Sequence, residues 1–187
     1  MSENEQSDNI VNNAKSRMDR SLENFKRELN TIRSSRANPA MLDGLTAEYY
    51  GAETPLNQLA TISVPEARMI LISPFDKSTL GAIEKSILKS DLNLTPSNDG
   101  TVIRLMLPEM TMDRRQELVK QVKQRLEETK VAIRNVRRDA NDDLKKLTQL
   151  SKDEQKHYQD EIQKLTDGQT LKADEIAKEK EESILKV

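Results

Sequence analysis

From Pro108 to Leu150 the chain reads PEMTMDRRQELVKQVKQRLEETKVAIRNVRRDANDDLKKLTQL, with neither proline nor glycine after the first residue. Both residues are costly inside helices, so the stretch predicts one uninterrupted helix of roughly 60 Å. Thr111 is placed as its N-cap, with Asp113 in the first turn, where a carboxylate favours the helix dipole. Advancing by about 100° per residue gathers Leu118, Val122, Leu126, Thr129, Ile133, Val136, Ala140, Leu144 and Leu147 into one stripe. Lys120, Lys123, Lys130, Arg134, Arg137, Arg138 and Lys145 fall on a second face, and Glu117, Glu128, Asp139 and Asp142 on a third. Glu127 intrudes on the basic face.

The chain before this stretch is built differently. All six prolines, and four of the five glycines, lie between Pro39 and Pro108. Short apolar runs bounded by these breakers predict strands at Leu45 to Tyr50, around Leu59 to Val64, at Arg68 to Ser73 and at Thr101 to Leu107. Leu80, Ile83 and Ile87 share one helical face after Pro74 and Asp76, which gives the block one central helix.

The N-terminal flank repeats apolar residues every three or four positions, at Ile10, Val11, Ala14, Met18, Leu22, Phe25, Leu29 and Ile32. A long amphipathic helix follows, expected to end near Ser34-Ser35-Arg36 because Asn38 precedes Pro39. Polar terminal residues such as Met1 to Gln6 are commonly disordered. At the other end, Ser151-Lys152-Asp153-Glu154 has the pattern of a capping box and opens a last helix. Its inner face is expected from Tyr158, Ile162, Leu165, Ala173, Ile176 and Ile184, with a weak point at Gly168. The fold expected is α+β: a three-helix bundle from residues 1–35 and 109–187, with a small domain, 36–108, inserted between its first two helices. Two chain crossings join them, so Ser35, Arg36, Pro108 and Glu109 form a candidate hinge.

Composition narrows the function. Of 187 residues, 35% are hydrophobic, 3% aromatic and 33% charged, which suits thin helical packing better than one thick core. A net charge of −2 provides no global attraction to polyanions, so any such binding must come from local segregation of charge. Without cysteine there is no disulfide or thiolate site, which is compatible with the cytoplasm. No apolar run reaches the ~20 residues of a membrane span, and the acidic start, Met1-Ser2-Glu3-Asn4-Glu5, is unlike a targeting peptide. No membrane role is expected.

Long helices with mixed charge commonly carry solvated faces laced with ion pairs. Here the charges separate by sign, which favours a binding surface, and Arg134, Arg137 and Arg138 are arginines, whose planar guanidinium groups grip phosphate and stack on bases. Lys130 belongs to the same face, and Arg33 and Arg36 would extend it if they lie near that end. Other chemistry is weakly represented. His157 is the only histidine, without a triad around it; Asp139, Asp142 and Asp143 lack the spacing of a calcium loop and suit an exposed acidic edge; no phosphate-binding glycine loop follows a strand. No catalytic site, metal or cofactor is indicated.

The run Val131-Ala132-Ile133-Arg134-Asn135-Val136-Arg137-Arg138-Asp139-Ala140-Asn141 resembles the most recognisable segment of the bacterial ribosome recycling factors. Further blocks agree in order: Arg36-Ala37-Asn38-Pro39 with Leu42-Asp43-Gly44, Tyr49-Tyr50-Gly51 with Thr54-Pro55-Leu56 and Gln58-Leu59-Ala60, Ser90-Asp91-Leu92, and Gln163-Lys164-Leu165-Thr166-Asp167. Asp167-Gly168-Gln169-Thr170 departs from the family, whose last helix is usually more apolar there. The resemblance implies an L-shaped, two-domain molecule of tRNA-like outline, with a small β/α/β sandwich on a flexible elbow. It also implies a monomeric translation factor that binds the large ribosomal subunit after termination and, with elongation factor G and GTP, separates the subunits. On this likeness Arg137 leads the contacts to ribosomal RNA, with Arg134 and Arg33 beside it and Arg36, Arg138 and Lys130 around them. A helical chaperone cofactor or coiled-coil adaptor is the competing reading; it predicts a dimer and salt-insensitive binding, where a ribosome binder loses affinity steeply with salt.

Overall fold

A computed structural model describes residues 2–33 and 35–186; Met1, Ser34 and Val187 lie outside the described residues. The chain divides into two compact units, Met1–Arg33 with Met112–Lys186, and Ser34–Thr111. The first is a three-helix bundle of α1 (Glu3–Asn30), α4 (Met112–Lys145) and α5 (Lys152–Leu185). The second holds β1 (Thr46–Tyr49), β2 (Ala52–Pro55), the one-turn α2 (Leu56–Leu59), β3 (Ala60–Glu66), β4 (Met69–Pro74), α3 (Leu80–Lys89), β5 (Pro96–Asn98) and β6 (Ile103–Met106).

In the bundle, α1 buries Ala14, Met18, Leu22, Phe25 and Leu29, and α4 buries Leu118, Val122, Ile133, Val136, Ala140 and Leu144. These are the predicted stripes, with Leu126 and Leu147 only half-buried at their margins. The α5 stripe differs from expectation. Between Ile162 and Ala173 its deepest positions are Thr166 and Gln169, while Leu165 and Ile176 are half-buried. The Thr166 hydroxyl donates to the Ile162 carbonyl at 2.7 Å, and Gln169 Nε2 donates to Asp19 Oδ1 of α1 at 2.7 Å.

Helix ends also differ, for local reasons. Far from being loose, Ser2 opens α1 with a capping box closed by Glu5. The Glu3 carboxylate then accepts from the backbone N–H groups of Thr148 and Gln149, at 3.2 and 2.6 Å. Those two donors are lost to α4, which stops at Lys145 instead of reaching Leu150; Lys146 and Leu147 make the tighter bonds of a last turn to Asp143 and Leu144. At the far end of α1, Thr31 donates from both its N–H and its hydroxyl to the Glu28 carbonyl, and the helix ends there, short of the expected Ser34-Ser35-Arg36. The box at Ser151 and Glu154 opens α5 as expected, and backbone and hydroxyl bonds from Ser151 hold the Glu154 carboxyl below its ordinary pKa. Arg115 is buried, and its Nη1 donates to the Leu185 carbonyl at 3.3 Å, placing a cation where the α5 dipole is negative.

The small unit is a four-stranded antiparallel sheet in the order β3-β4-β6-β5, beside a separate β1-β2 hairpin. Ile70 pairs with Leu105 and Ile72 with Ile103, which turns these residues to one face, and they share a buried cluster with Leu80, Ile83 and Ile87 of α3. Each such fully buried side chain stabilises the fold by about 1.5–3 kcal/mol. Two strands escaped the sequence reading. β2 is reached through Tyr50 and Gly51, both at positive φ (49° and 79°), the geometry of a two-residue hairpin turn. β5 is three residues of polar or proline character, too short to show a period. Pro65 sits where the β3 register shifts, so its missing donor does not break the ladder.

Both chain ends of this unit meet at one turn. Ala37 N–H donates to the Ala67 carbonyl at 2.7 Å and Leu107 N–H to the Arg68 carbonyl at 2.8 Å. The four hinge candidates all lie within the small unit: Ser35 is buried, Arg36 and Pro108 are exposed, and Glu109 faces Arg68 at 3.9 Å.

Candidate nucleic-acid interface

The α4 helix carries its charges in an order set by its neighbours. Toward α1, Asp139 pairs with Arg17 at 3.1 Å and Arg125 with Glu28 at 3.4 Å, so Asp139, still about half exposed, is also an interhelical partner. These two pairs also give the antiparallel register of α1 on α4. Followed by ~1.5 Å per residue to the end of α1, that register sets Asn30 near the level of residue 124, roughly 20 Å along the axis from Arg137, and Arg33 follows beyond that end. Arg33 therefore does not adjoin the central arginines, and Arg36 belongs to the other unit.

The four basic candidates on α4 fall into two kinds. Lys130 meets Asp174 of α5 at 2.6 Å, with only 23% of its side chain exposed. Its charge is spent inside the bundle. Arg134 is half-exposed and reaches back to Glu127 at 2.8 Å, so the intruder predicted on the basic face is its partner. Arg137 and Arg138 are held otherwise. Arg137 Nη1 donates to Gln163 Oε1 at 3.2 Å, and Arg138 Nη2 donates to Asn135 Oδ1 at 3.2 Å. Among the described residues neither makes a salt bridge. An amide carbonyl fixes a guanidinium without neutralising it, so full positive charge stays available to an anion from solvent.

Among the described residues, no group of histidine and acidic residues is arranged to hold a metal ion, and no helix is long and apolar enough to cross a membrane. His157 lies on the surface beside Glu161 at 3.3 Å.

Bundle, inserted β unit and cationic arginine face define a class of two-unit helical protein with a surface suited to phosphate groups. Residues 25–185 match the family described as ribosome recycling factor. The chain is 55% identical to the ribosome-recycling factor of Geobacillus thermodenitrificans and 56% identical to that of Shouchella clausii, in each case over 95% of this chain and 98% of the relative. Among solved structures, it resembles the solution structure of a ribosome recycling factor, with a TM-score of 0.80 and 39% identity over 97% of this chain and 98% of that one. A second likeness is to the T. thermophilus ribosome recycling factor with E. coli elongation factor G bound to the E. coli post-termination complex (TM-score 0.64, 46% identity, 96% of this chain and 99% of that one). This chain belongs to the ribosome recycling factor family.

Proposed function

We propose that the chain recycles ribosomes: it binds the large subunit of the post-termination ribosome and, with elongation factor G and GTP, drives the subunits apart. It acts as a monomer in the cytoplasm and is not an enzyme; GTP hydrolysis belongs to the elongation factor. The observation that carries this reading is the pair Arg137 and Arg138, charged and held only by neutral amides, in the last third of a 34-residue helix. Such a rod presents cations at fixed spacing to ribosomal RNA phosphates. Arg134 joins them by exchanging Glu127 for phosphate, and Arg33 and Arg36 supply separate contacts. Lys130 contributes least, since its partner Asp174 must first be displaced.

The small unit would move against the bundle about residues Ser35, Arg36, Pro108 and Glu109. Support comes from the Ala67-Arg68 turn, which holds both chain ends of the unit at one place. The likeness to the T. thermophilus factor, described with elongation factor G as bound to the post-termination complex, supports the choice of partners. The test is Arg137→Gly: subunit splitting by elongation factor G and GTP should be abolished. Losing a helix former for glycine costs about 1 kcal/mol, so the Tm of the bundle should fall by only about 4 °C. Normal splitting by this variant would contradict the reading.

A further inference from the structure

On the surface of α5, neither Gln163 nor Asp167 is buried. Packing does not account for them. Their bonds form a chain that ends at the central arginine. Gln163 Oε1 accepts from Arg137 Nη1 at 3.2 Å, and Gln163 Nε2 donates to Asp167 Oδ1 at 2.9 Å. Positions 163 and 167 are four apart on α5 and therefore neighbours on its surface.

We propose that Gln163 and Asp167 are positioning residues of the RNA interface, acting together as a relay that aims the Arg137 guanidinium at ribosomal RNA. This rests on the reading of Arg137 as an RNA contact. A glutamine amide has a donor end and an acceptor end, and only the acceptor end suits an arginine. Asp167, an acceptor alone when ionised, claims the donor end and so fixes which way the amide turns. The carboxylate that sets the orientation is thereby kept one side chain away from the guanidinium. Contrast the same helix at Arg134 and Lys130, where carboxylates touch the cations directly at 2.8 and 2.6 Å. At Arg137 the geometry is fixed and the charge is not quenched.

The experiment measures large-subunit affinity at two salt concentrations, together with Tm, for single variants at 163 and 167 in both the wild-type and the Arg137→Gly background. Gln163→Ala should weaken binding by about threefold to tenfold with an unchanged salt slope, since no cation is lost. Gln163→Glu, which sets a carboxylate on Arg137, should weaken it by about tenfold or more and make the slope shallower. Asp167→Ala should resemble Gln163→Ala, and Asp167→Asn, which can still accept from Gln163 but can also donate and so no longer fixes the amide alone, should fall between Asp167→Ala and wild type. In the Arg137→Gly background every one of these substitutions should have no further effect, and none should change Tm appreciably. Wild-type affinity for the Gln163 variants, or losses of equal size in both backgrounds, would overturn the relay while leaving Arg137 as a contact. Wild-type affinity for Arg137→Gly itself would overturn both.

Discussion

Both units bury apolar side chains completely, Ile70, Ile72, Ile83, Ile103 and Leu105 in the small unit and Met18, Phe25, Ile133, Leu144 and Ile162 in the bundle, but the bundle also buries Arg115, Gln169, Thr166 and Thr129, where the small unit adds the shorter Thr79 and Ser35. The sheet and α3 enclose one aliphatic cluster. The bundle spreads a thin, partly polar core along three long helices and keeps whole faces for charge. The candidate binding chemistry sits on the bundle's surface. What differs is how much each unit tolerates at its centre, and that difference can be measured.

The largest effect should come from Ile83→Ala, which opens a cavity in the small unit's core. A loss of about 2–5 kcal/mol is expected, read as hydrogen-exchange protection that collapses in residues 46–106 while the bundle keeps its own. Collapse of both units together would show that their cores are one cooperative system. In the bundle the same kind of test should have the opposite sign. Gln169 is 2% exposed and its Oε1 has no hydrogen-bond partner, so Gln169→Leu removes a buried unsatisfied acceptor; Asp19 remains in solvent. Denaturant unfolding should show a gain of about 1–2 kcal/mol. A loss would mean that the bond to Asp19 sets the register of α5 on α1. The smallest effect belongs to Gly168→Ala. Nothing lies within 4 Å of the added Cβ on this exposed helical position, so thermal unfolding should show a gain of about 0.5–1 kcal/mol.

Much of this was legible in the sequence where a period was long enough to read. The apolar stripes of α1 and α4, the capping box at Ser151 and the central α3 follow from spacing alone. What failed was either short or held by a distant partner. β2 and β5 have no apolar alternation, although Tyr50-Gly51 is a turn signal that points to a partner for β1. The end of α4 depends on Glu3, 145 residues away from Thr148. At the candidate site, a helical wheel groups Lys130 with Arg137 because it sees one helix only. Asp174 and Gln163, both on α5, separate a neutralised cation from an available one. Gln163 lay in plain view inside a family-like block, but its role needed the geometry of the facing helix.

On the proposed function, cationic guanidinium groups on α4 hold the chain to ribosomal RNA. Sedimentation with large ribosomal subunits, for wild type and Arg137→Gly across a range of salt concentrations, tests it most directly. Wild-type binding should fall steeply with salt, and the variant should bind more weakly with a slope reduced by about one counterion. Equal affinities with equal slopes, or wild-type binding that does not respond to salt, would contradict it.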